Sequence, residues 1–182
     1  ILVTAVMNDR ASSAPFFPLS VEFEEKFYAA GAILGNRFQR REGRPSEEAI
    51  LSARIIDRTI RPLFDHTMRH EIQIVATVLA MGDDDPDVLG VIGASLALAV
   101  SDIPWNGPVG AVRIGRTRET GEVVINPTYP QRAAELLDFE VLACGKDGTI
   151  NMIETAANET PEGDIVSILE SATAIHAALE AW

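Results

Sequence analysis

The sequence predicts an α+β fold, in which strands paired as hairpins accompany three helices. Two observations support this prediction. In the C-terminal half, turn residues separate short apolar segments, and Asp147-Gly148 is a dipeptide expected in a tight two-residue hairpin. In the N-terminal half, Pro45 and Ser46 are followed by two glutamates, which is the pattern of a helix start.

Alternation of apolar and polar residues predicts the strands. Leu19, Val21 and Phe23 alternate with polar neighbours, and the segment from residue 72 is rich in β-branched residues. Polar loops are expected at 8–15 and 31–45. The predicted strands, in chain order, are 1–6, Phe17–Tyr28, Ile72–Ala80, Val109–Arg118, Glu122–Asn126, Phe139–Cys144 and Thr149–Glu154.

Residues that cap a helix and residues that end one predict the positions of the helices. The first should begin near Ser46 and end at Arg61, because Pro62 cannot continue it. The second is apolar and rich in small residues, so Gly90 and Gly93 indicate close helix packing rather than a phosphate-binding loop. The predicted helices, in chain order, are Ser46–Arg61, Val88–Ser101 and Asp164–Trp182.

Length and composition limit the protein class. A chain of 182 residues with 47% hydrophobic and 23% charged residues suits one globular domain. A single cysteine, Cys144, excludes an internal disulfide and favours a reducing compartment. No apolar run is long enough to span a bilayer. Because the chain starts in mid-strand without an initiator Met, we expect a piece of a longer protein.

Arginine is concentrated in one segment. Residues 37–69 hold eight of the fifteen basic residues and five of the twenty-seven acidic ones, although the whole chain has a net charge of −12. Such a basic island on an acidic body predicts a local anion site. A guanidinium group can bind two phosphate oxygens at once and can stack on a base. Proteins that bind single-stranded nucleic acid use both kinds of contact. The candidate RNA-binding residues are Phe38, Gln39, Arg40, Arg41, Arg44, Arg54, Arg58 and Arg61.

Two interpretations of the helical arginines stay open. Arg54, Arg58 and Arg61 follow i, i+4, i+7 spacing and share one helix face. They could contact RNA or brace the neighbouring loop. They could instead form an ion-paired surface, because Asp57 is spaced to pair with both Arg61 and Arg54.

Several motifs together identify a family. The chain resembles the first of the two RNase PH-type core domains of the polynucleotide phosphorylase family, and the motifs occur in the family order over nearly its whole length. The matching stretches are FFPLSVEF (Phe16–Phe23), YAAG (Tyr28–Gly31), RREGRPSE (Arg40–Glu47), ARIIDRTIRPLF (Ala53–Phe64), IGASLAL (Ile92–Leu98), IPWNGPVGAVRIG (Ile103–Gly115) and MIETAANETPE (Met152–Glu162).

The resemblance implies a fold, an activity and partners. The fold would have βαβ units and a mixed sheet packed by helices, with residues 1–182 forming the first core domain. The family degrades RNA from its 3′ end with inorganic phosphate as co-substrate and releases nucleoside diphosphates. It forms a homotrimeric ring in which a second RNase PH-like domain holds Mg²⁺, and RNA-degradation proteins are further partners. A bacterial cytoplasmic location is implied, or an organellar matrix.

The resemblance also implies a division of roles. The loop matching Phe38–Arg44 would hold RNA at a channel constriction, although Gln39 stands where the family usually has an aromatic or aliphatic residue. No Asp/Lys cluster suggests a catalytic centre here, so we expect this domain alone to be inactive. An alternative function is a non-catalytic ring subunit of the exosome type, serving as scaffold and RNA guide.

Other candidate sites have simpler explanations. The acidic run from Asp83 to Asp87 could suggest a metal site, but Asp87 after Pro86 is expected to cap a helix, with the other acids solvated. Glu154 and Glu159 could form a catalytic pair. Cys144 is expected to be a packed thiol, and Trp105 to fill the core. The histidines lack zinc-ligand spacing to Cys144.

Overall fold

The protein, described here by a computed structural model, forms four layers: a sheet, a pair of helices, a second sheet and a long helix. The structure describes residues 1–33, 35, 43–133 and 136–181. The predicted α+β class is confirmed. Among the described residues, no helix is both long and apolar enough to cross a bilayer.

The first sheet has three strands, β1 (Leu2–Ala11), β2 (Leu19–Glu25) and β3 (His70–Val78), in the order β1-β3-β2. β1 runs antiparallel to β3, whereas β2 runs parallel to it. A parallel pair needs a crossover, and helix α1 (Glu47–Ile60) supplies it. This arrangement is the βαβ unit and mixed sheet that the family resemblance implied.

The second sheet is antiparallel throughout. Its strands are β4 (Gly110–Thr117), β5 (Val123–Ile125), β6 (Leu137–Lys146) and β7 (Thr149–Ala157), in the order β5-β4-β6-β7. Both predicted hairpins are present. At the β6–β7 turn the two central residues, Asp147 and Gly148, have φ angles of 50° and 72°, as a tight primed turn requires.

Three further helices complete the fold. Helix α2 (Pro86–Ala99) packs beside α1 between the two sheets, and α4 (Glu162–Glu180) covers the outer face of the second sheet. A short helix, α3 (Tyr129–Ala133), was not predicted. Alternate residues of β4 and β6 pack into two different hydrophobic cores, one on each face of the second sheet. Ala111 and Cys144 face α1 and α2, whereas Val112 faces α4.

Glycines allow the close contacts of α2, as predicted. A Cβ on Gly90 would lie 3.0 Å from Ile56 Cδ1, and one on Gly93 would lie 2.6 Å from Val3 Cγ2. The two positions therefore face α1 and the first sheet, respectively. Cys144 is fully buried, and Trp105 packs against the same core, so both predictions are confirmed.

Three local predictions were wrong. β1 continues to Ala11, because it pairs with β3 as far as His70. β2 ends at Glu25, and the chain turns into a short 3₁₀ helix that closes at Gly31 with φ 69°. The cap of α2 is Asp85 rather than Asp87: the Asp85 carboxylate accepts the backbone N–H of Asp87.

Candidate nucleic-acid interface

Helix α1 presents the described arginines because its two faces differ in polarity. The Ser46 hydroxyl caps the helix by accepting the Ala49 N–H at 3.0 Å. One face is buried between the sheets and includes Ile56 and Ile60, neither of which is exposed. The charged face points to solvent. Packing of the apolar face therefore fixes where the arginines project.

Arg54 and Arg58 are both exposed to solvent. Neither has an ion pair or a side-chain hydrogen bond within the described part of the chain. Arg54 lines a groove of 490 Å³ between α1 and β2, together with Val21 and Ile50. Both side chains can therefore contact an anionic ligand.

Arg61, by contrast, is a structural residue. Its guanidinium donates to Asp57 Oδ1 at 2.6 Å and Oδ2 at 3.0 Å, and to the Leu19 carbonyl at 3.1 Å. It also lies 6.0 Å from the centroid of the Phe17 ring. Both Asp57 oxygens bind Arg61, so the ion-paired interpretation holds for Arg61 and not for Arg54.

Arg44 lies just before the N-terminus of α1 and is exposed. It lines a groove of 640 Å³ with Lys26 and Ser46, and four glutamates line the same groove. One of them, Glu25, accepts the Ser46 hydroxyl at 3.2 Å. An anion bound by Arg44 would therefore lie on its solvent side, away from these carboxylates. The candidate residues Phe38, Gln39, Arg40 and Arg41 lie outside the described residues.

Aromatic rings gather at the opposite end of α1. Phe17 packs against Phe64 with ring centroids 5.2 Å apart, and Phe64 lies 6.3 Å from Trp105. His66 stacks on Phe17 at 5.8 Å with an interplanar angle of 11°. The sequence motifs gave no indication of this cluster, because its members come from three separate segments.

A buried ion network lies behind α1, at the start of α2. Arg113 is 3% exposed and Asp85 5% exposed, and the two form a direct ion pair. Arg113 also reaches Asp87 at 3.2 Å and Glu140 at 3.5 Å. Arg132 adds bonds to Glu140 at 2.6 and 2.9 Å and to Asp85 at 3.3 Å.

This network changes the interpretation of the acidic run. Asp85 is buried and paired, rather than solvated as predicted. Burial raises the pKa of Asp87 above its ordinary value, and burial raises the pKa of Tyr129 to about 12. No group of three or more His, Cys, Asp or Glu residues in the described ranges could hold a metal ion. The sequence signal was an arginine, Arg113, in the middle of the otherwise apolar segment 109–115.

Glu154 and Glu159 form no described contact with each other. Glu154 lies in β7 opposite Leu142, and Glu159 lies in the turn beyond that strand, with φ 52°. Burial raises the pKa of the Cys144 thiol to about 12, so this thiol stays protonated at neutral pH. The described geometry therefore offers anion binding and no assembled acid–base pair.

Comparison with known proteins identifies the family. Residues 1–104 match the RNase PH profile, described as the 3′ exoribonuclease family, domain 1. The polyribonucleotide nucleotidyltransferase of Deinococcus radiodurans is 51% identical over 175 residues, covering 96% of this chain and 22% of that protein. That of Thermomicrobium roseum is 52% identical over 165 residues, covering 89% and 20%.

The chain thus spans about a fifth of the length of these relatives. Among solved structures, Rrp46 of rice (Oryza sativa) has a TM-score of 0.72 at 14% identity, covering 97% of this chain and 79% of that one. This likeness shows a shared fold. Together with the profile match over more than half of the chain, it confirms the predicted RNase PH-like domain. The chain therefore belongs to the 3′ exoribonuclease family, in which it matches domain 1.

Proposed function

We propose that this chain is the RNA-holding first core domain of a phosphorolytic 3′→5′ exoribonuclease. This proposal rests on three exposed guanidinium groups on and before α1 that have no ion pair with any described residue; they belong to Arg44, Arg54 and Arg58. The names of the curated relatives, polyribonucleotide nucleotidyltransferases, support RNA as the polyanion. Loop residues Phe38, Gln39, Arg40 and Arg41 complete the proposed contact surface, and Arg61 braces it.

The proposed reaction needs little covalent chemistry from protein. Inorganic phosphate attacks the phosphorus of the terminal phosphodiester, the bond to the preceding 3′ oxygen breaks, and a nucleoside diphosphate leaves. Catalysis then depends on positioning and on neutralising charge. Exposed arginines on this domain would hold the RNA strand in register, whereas the reacting groups would lie on a second RNase PH-like domain.

Mg²⁺ is the metal that the family implies. The described carboxylates do not fit a Mg²⁺ site, because Asp85, Asp87 and Glu140 are already bound by Arg113 and Arg132. The proposed assembly is a homotrimeric ring with RNA in its channel, and RNA-degradation proteins are proposed further partners.

Single-stranded RNA binding across a salt series tests the proposed contacts. We expect Arg40→Ala/Arg41→Ala/Arg44→Ala to weaken binding and to lower the salt slope by about one unit per lost phosphate contact. Arg54→Ala/Arg58→Ala should do the same with a slope change of about two. Arg118→Ala is the matched control, because Arg118 is exposed on the second sheet. Unchanged affinity in both multiple variants would overturn the proposed interface.

Variants of Arg61 and Arg58 distinguish a structural role from a role in RNA contact. Arg61→Ala should lower the urea midpoint of unfolding, because it leaves Asp57 without its partner and removes the bond to the Leu19 carbonyl. Arg58→Ala should leave that midpoint nearly unchanged, since Arg58 is exposed. Equal midpoints for the two variants would contradict the structural role of Arg61.

An assay of phosphorolysis distinguishes the proposed phosphorylase from the alternative function, a non-catalytic guide subunit. The complete protein that contains this chain should consume phosphate and release nucleoside diphosphates from RNA. We expect Arg40→Ala/Arg41→Ala in that protein to shorten processive runs on long RNA. RNA binding without any phosphate-dependent release would instead favour the exosome-type scaffold.

A further inference from the structure

The ring of His66 continues the aromatic cluster to the protein surface. One face of the imidazole stacks on Phe17, with centroids 5.8 Å apart and planes at 11°. The residue itself is exposed, whereas Phe17 is only 6% exposed. A flat, conjugated ring with a buried ring behind it is thus presented to solvent.

The segment that carries His66 is held in place by local bonds. His66 Nε2 donates to the Arg61 carbonyl at 3.0 Å. The Asp65 carboxylate accepts the Thr67 N–H and hydroxyl at 2.8 and 2.7 Å, and Arg69 donates to the His66 carbonyl at 2.9 Å. The ring orientation is therefore set before any ligand arrives, which lowers the entropy cost of stacking.

Positive charge lies in the same segment as the ring, because Arg69 donates to the backbone carbonyl of His66. The described bonds of Arg69 go only to the His66 and Met68 carbonyls, so they leave its charge without a carboxylate partner. Its described contacts use one terminal nitrogen, so the other N–H donors of the guanidinium have no partner among the described residues. Asp65 opposes this charge, because the hydrogen bonds from Thr67 to its Oδ1 lower the pKa of the carboxyl group and keep it ionised. A ring beside a guanidinium matches the base and phosphate of one nucleotide.

We propose that His66, backed by Phe17, is a stacking site for one base of single-stranded RNA, with Arg69 as its phosphate contact. The site lies at the opposite end of α1 from Arg44, so a strand that crosses both would follow Arg54 and Arg58. This inference rests on the proposed RNA binding and extends its footprint to residues outside the arginine-rich loop.

The test uses the full chain and a short labelled oligoadenylate, with binding followed by fluorescence anisotropy. His66→Ala should weaken binding by about 5- to 150-fold, the range that loss of one stacked base produces. His66→Phe keeps a ring and should bind within about twofold of the wild type. The salt slope should be equal for all three, because stacking releases no counterions.

Further measurements distinguish binding of the base from binding of the phosphate. With an oligomer that carries abasic ribose units, wild type and His66→Ala should bind equally. Arg69→Gln keeps a donor for the carbonyls and should lower the salt slope by about one. Tyr28→Ala is the matched control, since Tyr28 is a ring that is 59% exposed elsewhere on the surface. Urea midpoints of all variants check that the segment still folds.

Each outcome bears on a different claim. Wild-type affinity in His66→Ala would overturn the stacking site alone and leave the arginine interface standing. Binding by His66→Phe as weak as that of His66→Ala would also overturn it, because the ring alone would then be insufficient. Absence of salt-dependent binding by the wild type would overturn the proposed function together with this inference.

Discussion

Single residues in this protein matter most where charge is buried. Arg113 lies in β4, between the apolar residues Val112 and Ile114, and is the centre of a network with three carboxylates. Taking these groups out of water is costly unless each finds a partner. The network also joins the cap of α2 to the second sheet, because Asp85 binds both the helix N-terminus and Arg113.

Arg113→Met should therefore destabilise the protein strongly. The substitution keeps much of the volume but leaves Asp85 and Asp87 buried without their main counter-charge, which typically costs about 3–5 kcal/mol. Urea denaturation measures the change in the free energy of unfolding. Arg116→Met is the control, because the pairs of Arg116 with Asp138 and Asp164 are more exposed and should contribute less.

His176 makes stability depend on pH. It is 1% exposed, its Nε2 donates to the Ala143 carbonyl at 3.0 Å, and its Nδ1 has no hydrogen-bond partner among the described residues. Burial lowers the pKa of His176 below its ordinary value of 6.5. The unfolded chain consequently binds this proton more readily, so stability from neutral His176 is present above pH 6.5 and falls as pH decreases below it.

His176→Gln should remove this part of the pH dependence. Glutamine retains an N–H donor for the Ala143 carbonyl but does not titrate. The free energy of unfolding of the variant should therefore fall less than that of the wild type as the pH decreases from 7.5 to 5.5. Chemical denaturation at several pH values gives the comparison. His70→Gln, at a histidine that is only half-buried, is the reference, and a wild-type slope in His176→Gln would contradict the assignment.

Residue-scale chemistry was only partly predictable. The packed Cys144 thiol and the glycines of α2 followed from the types of residue around them. Asp85 was misplaced because its partners, Arg113 and Arg132, lie 28 and 47 positions away in the sequence. Local patterns indicate that an aspartate can cap a helix, but only the fold shows which aspartate is buried.

At the scale of elements, the β6–β7 hairpin shows how turn and packing cooperate. Its register shifts between Cys144 and Gly145, next to the Asp147-Gly148 turn. A Cβ on Gly145 would overlap the backbone carbonyl oxygen of Thr149. Because that atom belongs to the paired strand, it can move only if the hairpin itself distorts.

Gly145→Ala should therefore destabilise the hairpin and the sheet to which it belongs. We expect a loss of about 1–3 kcal/mol, typical of overpacking, measured as a change in the free energy of unfolding. Gly163→Ala is the matched control: it lies in the first turn of α4 with nothing within 4 Å of the added Cβ. Alanine favours helix there by up to about 1 kcal/mol. A neutral Gly145→Ala would contradict the clash.

Sequence patterns predicted elements well where a local signal marks both ends. Helix α1 has Ser46 at its start and Pro62 after its end, and its observed bounds agree with the prediction. Helix α3 was not predicted, because it includes Pro130 and its five residues are too few to show a helical pattern of apolar residues. The order of the strands within each sheet was not predicted, because no local signal in the sequence specifies it.

Considered as a whole, the molecule is an acidic body with one basic region. A chain with net charge −12 repels RNA at long range, so the proposed RNA binding depends on how the local positive charge compares with the acids nearest to it. Glu22 is one of these acids. It lines the groove shared with Arg54 and accepts a hydrogen bond from Gln73 at 3.0 Å.

Glu22→Gln should therefore strengthen RNA binding at low salt. A charge about 8 Å from a phosphate in water opposes binding by about 0.5 kcal/mol, which corresponds to a gain of about twofold on its removal. The gain should shrink as salt rises, because the Debye length falls to about 10 Å at 0.1 M and about 3 Å at 1 M. Glutamine keeps an amide beside Gln73, so the fold should be unaffected.

The control for this effect is Glu119→Gln/Glu122→Gln, which removes two charges at the tip of the β4–β5 hairpin. That hairpin belongs to the second sheet, which lies on the other side of the paired helices from β2. If only nearby acids limit binding, this double variant should match the wild type at about 0.1 M salt, where charges beyond about 10 Å are screened. If it gains as much affinity as Glu22→Gln, net charge rather than the groove beside α1 limits RNA binding.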